Sequence, residues 1–183
     1  IPGRYFEFLQ TGDGSLLQNI VEHNLIDIVS MATLLYRLHV TGELDPEECD
    51  CSFEAEALAN IHRIAQNPSL ALRYLKAAEQ LTDNDEQYLR VMRQAAFIFK
   101  RLGDYKRGAF LWQKILTVSP EDLSSAEELA KYYEHKAKDL DSAERVTRRA
   151  LALAWQSRSP KIPVLEHRLK RLESKLLRQN LPI

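Results

Sequence analysis

Cysteine, glycine and long apolar runs are all scarce in this chain of 183 residues. Its two cysteines, Cys49 and Cys51, are too close in sequence for an ordinary disulfide framework, which indicates a reducing, cytoplasmic compartment. No apolar run approaches the roughly 18 residues that a membrane-spanning helix needs, so no membrane partner is expected. The composition, with 45% hydrophobic residues, is that of a globular protein of one or two small domains.

A strong charge of either sign is also lacking. The formal net charge of −1 excludes an overall field that would attract nucleic acid or a membrane surface, although it leaves room for a local basic face. The chain begins with Ile1 and has no initiator methionine. We therefore expect it to be the C-terminal piece of a longer protein.

The clearest pattern lies in residues 89–122. Two apolar runs with helical spacing, 91–100 and 106–116, flank a turn at residues 102–105, and Pro120 ends the second run. This arrangement predicts a helical hairpin. Small side chains let the two helices approach closely and large ones fill the space between them: Ala95, Ala96 and Gly108 in the first group, and Phe99, Tyr105, Trp112 and Ile115 in the second.

The hairpin resembles a tetratricopeptide repeat, in which small, aromatic and proline positions recur with a period of about 34 residues. Such a hairpin cannot bury its apolar stripe alone, so neighbouring repeats are expected. Similar patterns occur in residues 53–81 and 124–154, with Ser124 or Ser125 as the expected cap of the third hairpin. The small and apolar positions recur at Ala71, Leu75 and Ala78, and again at Ala143, Thr147 and Ala150.

A last helix is predicted after Pro160 and Pro163. Its leucines form one face and basic residues form the other, which is typical of a helix that covers the end of a repeat array. The basic face has two interpretations: a charged solvent face, favoured by the interleaved Glu166 and Glu173, or a contact with phosphate. The residues of that face are Lys161, His167, Arg168, Lys170, Arg171, Lys175 and Arg178.

Residues 1–40 do not follow the repeat pattern. An aromatic segment, 5–8, and a turn, 11–15, precede a helix predicted over 16–38, with Ser15 as its N-cap. Apolar residues occur on nearly every side of this helix, which predicts burial among several elements. His23 and Asp27 share one face of it, and a carboxylate buried there would need a hydrogen bond, an ion pair or a cation.

This pair has two interpretations. One is a surface patch of the helix or a local His–Asp contact at the edge of a core. The other follows from the wider string: Ile-Pro-Gly, then YFEFLQTGD, then LQNIVEHNLIDIVS. This string resembles the last part of ribonuclease H-like exonuclease domains of the YprB type, in the DEDD superfamily, where a helix with a His-Asn-x-x-Asp or Tyr-Asn-x-x-Asp element supplies the final active-site acid.

The resemblance implies two-metal phosphodiester cleavage by a 3′–5′ exonuclease. It gives Asp27 the place of the last metal-binding aspartate, His23 a catalytic place next to the attacking water, and Asn24 a supporting place. The family needs three further acids on preceding elements, and Glu7 and Asp13 lie in the wrong context for them. A divalent metal, Mg or Mn, is therefore expected only in the complete nuclease domain, and this chain alone is expected to bind no metal and to be inactive.

The predicted architecture is an all-α, tetratricopeptide-like hairpin array with a capping helix over residues 53–183. It follows an acidic linker at 41–52 and the terminal segment of a truncated ribonuclease H-like domain at 1–40. The linker's Cys-Asp-Cys lacks zinc-site spacing, so no zinc is expected. His39, His62, His135 and His167 are assigned no site, because no acid or nucleophile clusters with them in the sequence.

Two functions remain open from the sequence. The first is the C-terminal portion of a metal-dependent ribonuclease H-like exonuclease, whose repeats position single-stranded nucleic acid or a protein partner. The second is a non-enzymatic tetratricopeptide scaffold that binds a protein partner through the repeat surface, in which residues 1–40 form only an additional helix.

Overall fold

The computed structural model describes residues 2–179, and this part of the chain is all-helical, with no β-strand. The prediction of an all-α chain is confirmed. The helices are α1 Pro2–Thr11, α2 Ser15–Glu43, α3 Ser52–Ile64, α4 Pro68–Leu81, α5 Asp85–Arg101, α6 Tyr105–Val118, α7 Leu123–Tyr132, α8 Leu140–Gln156 and α9 Ile162–Gln179. Two short elements interrupt this order, a 3₁₀ turn at Pro46–Glu48 and a π-helical turn at Tyr133–Ala137.

The chain divides into two compact units between Glu48 and Cys49. This division falls inside the stretch 41–52 that the sequence indicates as a linker, although α2 itself runs three residues beyond Val40. The first unit contains α1 and α2, and the second contains α3 to α9.

The start of α2 differs from the sequence-based expectation. Residues 5–8 form part of helix α1, which ends where Gly12 adopts φ +71° and donates to the Phe8 carbonyl oxygen at 2.8 Å. Ser15 was predicted as the N-cap, but it is the first helical residue. The carboxylate of Asp13 accepts its N–H at 3.0 Å instead.

Helix α2 has 29 residues, and none of them is buried. The prediction that this helix is buried among several elements is therefore wrong for this chain. The physical reason is that α1, the α-helix that packs against α2 in the described part of the first unit, has only ten residues and cannot cover a helix that is apolar on all sides. Its exposed large apolar side chains are Val21, Leu25, Ile26, Ile28, Val29, Met31, Leu34, Leu35, Tyr36, Leu38 and Val40.

In the second unit, α3–α4, α5–α6 and α7–α8 form three successive helical hairpins, and α9 packs against α8. Five helices begin at an Asn or Asp whose side chain accepts a backbone N–H of the first turn, which satisfies donors that the helix leaves unpaired. Ser124 or Ser125 was predicted to cap α7, but Asp122 does so and accepts from the backbone N–H groups of both serines. The five capping residues are Asn67, Asn84, Asp104, Asp122 and Asp139.

The close approach predicted within the central hairpin is present. Gly108 on α6 faces α5 so closely that an added Cβ would lie 3.3 Å from the Ala96 carbonyl oxygen. Trp112 and Ile115 are buried beside it, whereas Phe99 and Tyr105 are half-buried. The equivalent positions of the other two hairpins are also buried: Ala71, Leu75, Ala78, Ala143, Thr147 and Ala150.

Helix α9 closes the core of the third hairpin. Leu165 and Leu172 are buried, and Leu165 belongs to a cluster with Ala126, Ala150 and Ala154. Leu177, near the end of the helix, stays exposed. One face of α9 therefore supplies apolar cover for α7 and α8, as its amphipathic sequence predicts.

Candidate functional site

The first candidate site lies on α2, where His23 and Asp27 are one helical turn apart. The His23 Nε2 atom lies 3.6 Å from the Asp27 Oδ2 atom, so the two side chains do share a face. Both are open to solvent, with 66% and 55% of the side-chain surface exposed. Asn24 is also exposed on the same helix.

The expectation of a desolvated carboxylate at Asp27 is therefore wrong in this chain. At 3.6 Å and in water, a His–Asp pair contributes at most about 1 kcal/mol, and the carboxylate keeps its hydration. The pair is accessible to any group that packs on this face of α2.

The residues present do not by themselves fit a resident metal ion. Within residues 2–179, no group of three or more His, Cys, Asp or Glu side chains is close enough to hold one. Asp27 supplies a single carboxylate, whereas two-metal nuclease sites need several. Glu7 and Asp13 lie on α1 and in the α1–α2 turn. In the linker region, Cys49 is buried and Cys51 is exposed.

A second cluster, which the sequence reasoning missed, surrounds Glu134. Its side chain is fully buried, and three basic residues of α9 donate to it. Arg168 Nη1 lies 2.9 Å from Oε2, Arg171 Nη2 lies 2.7 Å from Oε2, and Lys175 Nζ lies 2.7 Å from Oε1. Part of the basic face of α9 therefore binds a buried acid, a role that neither sequence-based interpretation of that face included.

The electrostatics of this cluster favour the ionised carboxylate. Burial by itself raises the pKa of Glu134, but hydrogen bonds from Arg171 and Lys175 outweigh it and lower the pKa to about 2. His135 Nε2 lies 3.5 Å from the Glu134 carboxylate, so its sequence-based description as a histidine without acidic neighbours is wrong. Burial, together with the nearby Lys175, Arg171 and Arg168, lowers the pKa of His135 despite the opposing effect of Glu134.

An analogous network joins the first two hairpins. Glu56 on α3 is buried and accepts two hydrogen bonds of 2.7 Å from Arg90 on α5. Gln94 and Gln87 donate to the same carboxylate at 2.8 and 3.3 Å. The hydrogen bond from Arg90 is the main reason that the pKa of Glu56 is lowered. Glu56 and Arg90 are 34 residues apart, as are Glu134 and Arg168. The separation of 34 residues equals the repeat period, so the sequence alone could have indicated both pairs.

Next to the Glu134 cluster is a cavity of about 350 Å³, which we call the basic cavity. It lies among α5, α6, α7, the π-helical turn and α9. Five cationic side chains line it against one carboxylate, that of Glu128, and three aromatic residues complete the wall. The lining residues are Lys100, Tyr105, Trp112, Glu128, Lys131, Tyr132, His135, Lys136, Arg168 and Arg171.

Comparison with known proteins gives matches both at the start of the chain and over nearly its whole length. Residues 1–39 match the model of the RNase_H superfamily. The Bacillus subtilis (strain 168) protein YprB is 26% identical over 180 residues, which cover 93% of this chain and 42% of YprB. These matches relate the chain to ribonuclease H-like proteins. The chain spans less than half the length of YprB, so YprB extends well beyond the aligned part.

The helical array also has a structural neighbour. The crystal structure of MamA superposes with a TM-score of 0.53 at 15% sequence identity, over 59% of this chain and 61% of MamA. At that identity the likeness shows a shared helical-repeat-like fold and nothing about the ligand. Among residues 2–179, no helix combines the length and apolarity that crossing a bilayer requires.

Proposed function

We propose that this chain is the C-terminal portion of a metal-dependent, ribonuclease H-like 3′–5′ exonuclease. In this proposal α2 is the last helix of the nuclease domain, and the repeats position single-stranded nucleic acid or a protein partner. Asp27 is one carboxylate ligand of the metal site, and His23 lies next to the attacking water. The chain of 183 residues is inactive alone because the other acidic ligands come from outside it.

One observation carries the proposal: an apolar helix of 29 residues, with none of them buried, presents an exposed acid–histidine pair. A helix that is hydrophobic on all sides is typical of the interior of a larger domain. Covering α2 with further elements would desolvate Asp27, whose charge would then need cations. The match of residues 1–39 to the RNase_H superfamily supports the same interpretation.

The chemistry divides between the metal and these two side chains. A divalent metal would supply charge stabilisation and an activated water. Mg and Mn both favour carboxylate oxygen, the donor that Asp27 offers. In this proposal the His23 imidazole, 3.6 Å from this carboxylate, accepts a proton from the attacking water.

The test uses a longer chain that includes the protein sequence upstream of Ile1. We expect it to degrade labelled single-stranded DNA or RNA from the 3′ end with Mg²⁺ or Mn²⁺. Asp27→Asn should lower turnover at least about 100-fold, because it removes a ligand charge while preserving shape. Glu22→Gln is the matched control. Glu22 is an exposed acid beside His23, and its carboxylate accepts a hydrogen bond of 3.0 Å from Gln18. Equal turnover of Asp27→Asn and Glu22→Gln would refute the site.

A second candidate function is a protein-interaction scaffold without catalytic activity. The observations that favour it are the three successive helical hairpins and the likeness of the chain's fold to that of MamA. It predicts no metal-dependent cleavage by the longer chain under any of the conditions above. Cleavage that depends on Asp27 would exclude it.

A further inference from the structure

The basic cavity carries more positive charge than its own carboxylates neutralise. Lys100 and Lys131 both bind Glu128, and Arg168 and Arg171 bind the buried Glu134. Lys136 is the fifth cation. No carboxylate in the described part of the chain lies within ion-pair distance of it, and its Nζ atom is 4.0 Å from the centre of the Tyr105 ring. The cavity therefore presents at least one ammonium group with no anionic partner.

A buried donor in the cavity wall is also without an acceptor. Arg168 is only 9% exposed, and its Nη1 donates to Glu134. Its Nε is buried and has no hydrogen-bond partner within residues 2–179. A buried N–H without an acceptor is unusual in a native structure. Because this Nε has less than 1 Å² of accessible surface, Arg168 adds positive charge to the cavity wall, but a ligand does not reach the Nε itself.

A π-helical turn carries three of the residues at this site. Glu134, His135 and Lys136 lie in the π-helical turn, which ends where Lys138 adopts the left-handed conformation at φ +59°. A π-turn followed by a left-handed residue is a common way for an α-helix to end. Here the turn directs Glu134 into the protein and leaves Lys136 exposed over Tyr105.

The combination of cations and aromatic rings discriminates between anionic ligands. Tyr105 and Tyr132 are half-buried in the wall, next to Lys136, Lys100 and Lys131. Sites for single-stranded nucleic acid combine a positive groove along the phosphates with aromatic rings for the bases. An acidic peptide would use the cations but would not need the rings.

We propose that the basic cavity binds the backbone phosphate of single-stranded nucleic acid, with Lys136 as a direct contact and Tyr105 or Tyr132 against a base. This inference rests on the proposed function, in which the repeats lie downstream of a nuclease domain. The site would hold the substrate strand, and it takes no part in cleavage.

The experiment uses the whole chain of 183 residues and a fluorescein-labelled, twelve-nucleotide oligothymidylate in EDTA. Fluorescence anisotropy is recorded over a range of salt concentrations. We expect binding that weakens with salt. Lys136→Gln should lower affinity about fivefold and reduce the slope of log K against log salt by about 0.7, which corresponds to one phosphate contact on a single strand. Lys170→Gln is the matched control, because Lys170 is an exposed cation of α9 that does not line the cavity.

Three outcomes would overturn the assignment. One is no binding of the oligonucleotide at low salt. Another is an equal loss of affinity in Lys136→Gln and Lys170→Gln. The third is tight binding of a labelled oligoglutamate of equal length with no binding of the oligonucleotide, which would indicate an acidic protein ligand. Circular dichroism of both variants checks that the helices are intact.

This assay separates the site from the nuclease proposal. Binding in EDTA requires neither metal nor cleavage. If the oligonucleotide binds through Lys136 but the longer chain never cleaves, then the nuclease proposal fails and the site stands. If the longer chain cleaves through Asp27 but Lys136→Gln binds normally, then only the cavity assignment fails.

Discussion

Glu134, in the turn after α7, accepts a hydrogen bond of 2.9 Å from Arg168 on α9, which lies 34 residues later in the chain. Glu56 on α3 and Arg90 on α5 are paired over the same sequence separation. Lys161 Nζ and the Glu127 carboxylate, again 34 residues apart, lie 3.3 Å from each other. The repeat period thus places an acid of one hairpin against a base of the next hairpin or of the α9 region, and all three pairs lie within the second unit.

We expect Glu134→Gln to destabilise the second unit by roughly 2–3 kcal/mol. The substitution removes the anion that neutralises the buried Arg168, and an uncompensated buried charge is costly. This loss is smaller than is usual when one partner of a buried ion pair is removed, because Arg171 and Lys175 are partly exposed and can be hydrated. Urea unfolding followed by circular dichroism measures it. Glu166→Gln, elsewhere on α9, is the control and should change the free energy of unfolding by less than about 0.5 kcal/mol.

Stability should depend on pH through the same carboxylate. The pKa of Glu134 is about 2 in the folded protein and 4.5 ordinarily. Because the pKa of Glu134 is lower in the folded state, its ionised carboxylate stabilises the fold above pH 4.5. This stabilisation is lost as the pH falls from 4.5 towards about 2. The advantage of the wild type over Glu134→Gln should therefore shrink by about 2 kcal/mol between pH 6 and pH 3. A difference that stays constant over this range would contradict the assigned pKa.

We expect Gly108→Ala to destabilise the central hairpin by roughly 1 kcal/mol, although alanine is the better helix former. The new methyl group would lie 3.3 Å from the Ala96 carbonyl oxygen, a backbone atom that cannot easily move. Gly42→Ala is the control, because nothing lies within 4 Å of its added Cβ. Thermal unfolding should show a lower midpoint for Gly108→Ala alone. A raised midpoint would mean that α5 and α6 can separate slightly at no cost.

Asp122 has two roles, which two substitutions should separate. Its carboxylate accepts the N–H groups of Ser124 and Ser125 at the start of α7, and it accepts from Arg93 Nε at 2.6 Å. Asp122→Ala removes both roles and should cost about 2 kcal/mol, whereas Asp122→Asn keeps a capping oxygen and should cost clearly less. The free energies of unfolding in urea decide this. Equal losses would show that the ion pair, and not the cap, is the important contact.

Much of the second unit could be predicted from the sequence. The three hairpins and α9 lie where the helical spacing places them, and the small residue Gly108 marks a real close approach. These features are local, because side-chain size, period and turn residues act within about one helical turn or across one hairpin. The tetratricopeptide assignment and the boundaries at residues 40 and 52 stay predictions.

The sequence by itself determined the helices, the small contact positions and the one-turn spacing of His23 and Asp27. Only the tertiary structure decided what surrounds them. It left α2 uncovered, because burial depends on which elements pack on a helix and not on how apolar the helix is. It also turned a basic face of α9 onto Glu134, because pairing across 34 residues depends on how successive hairpins stack.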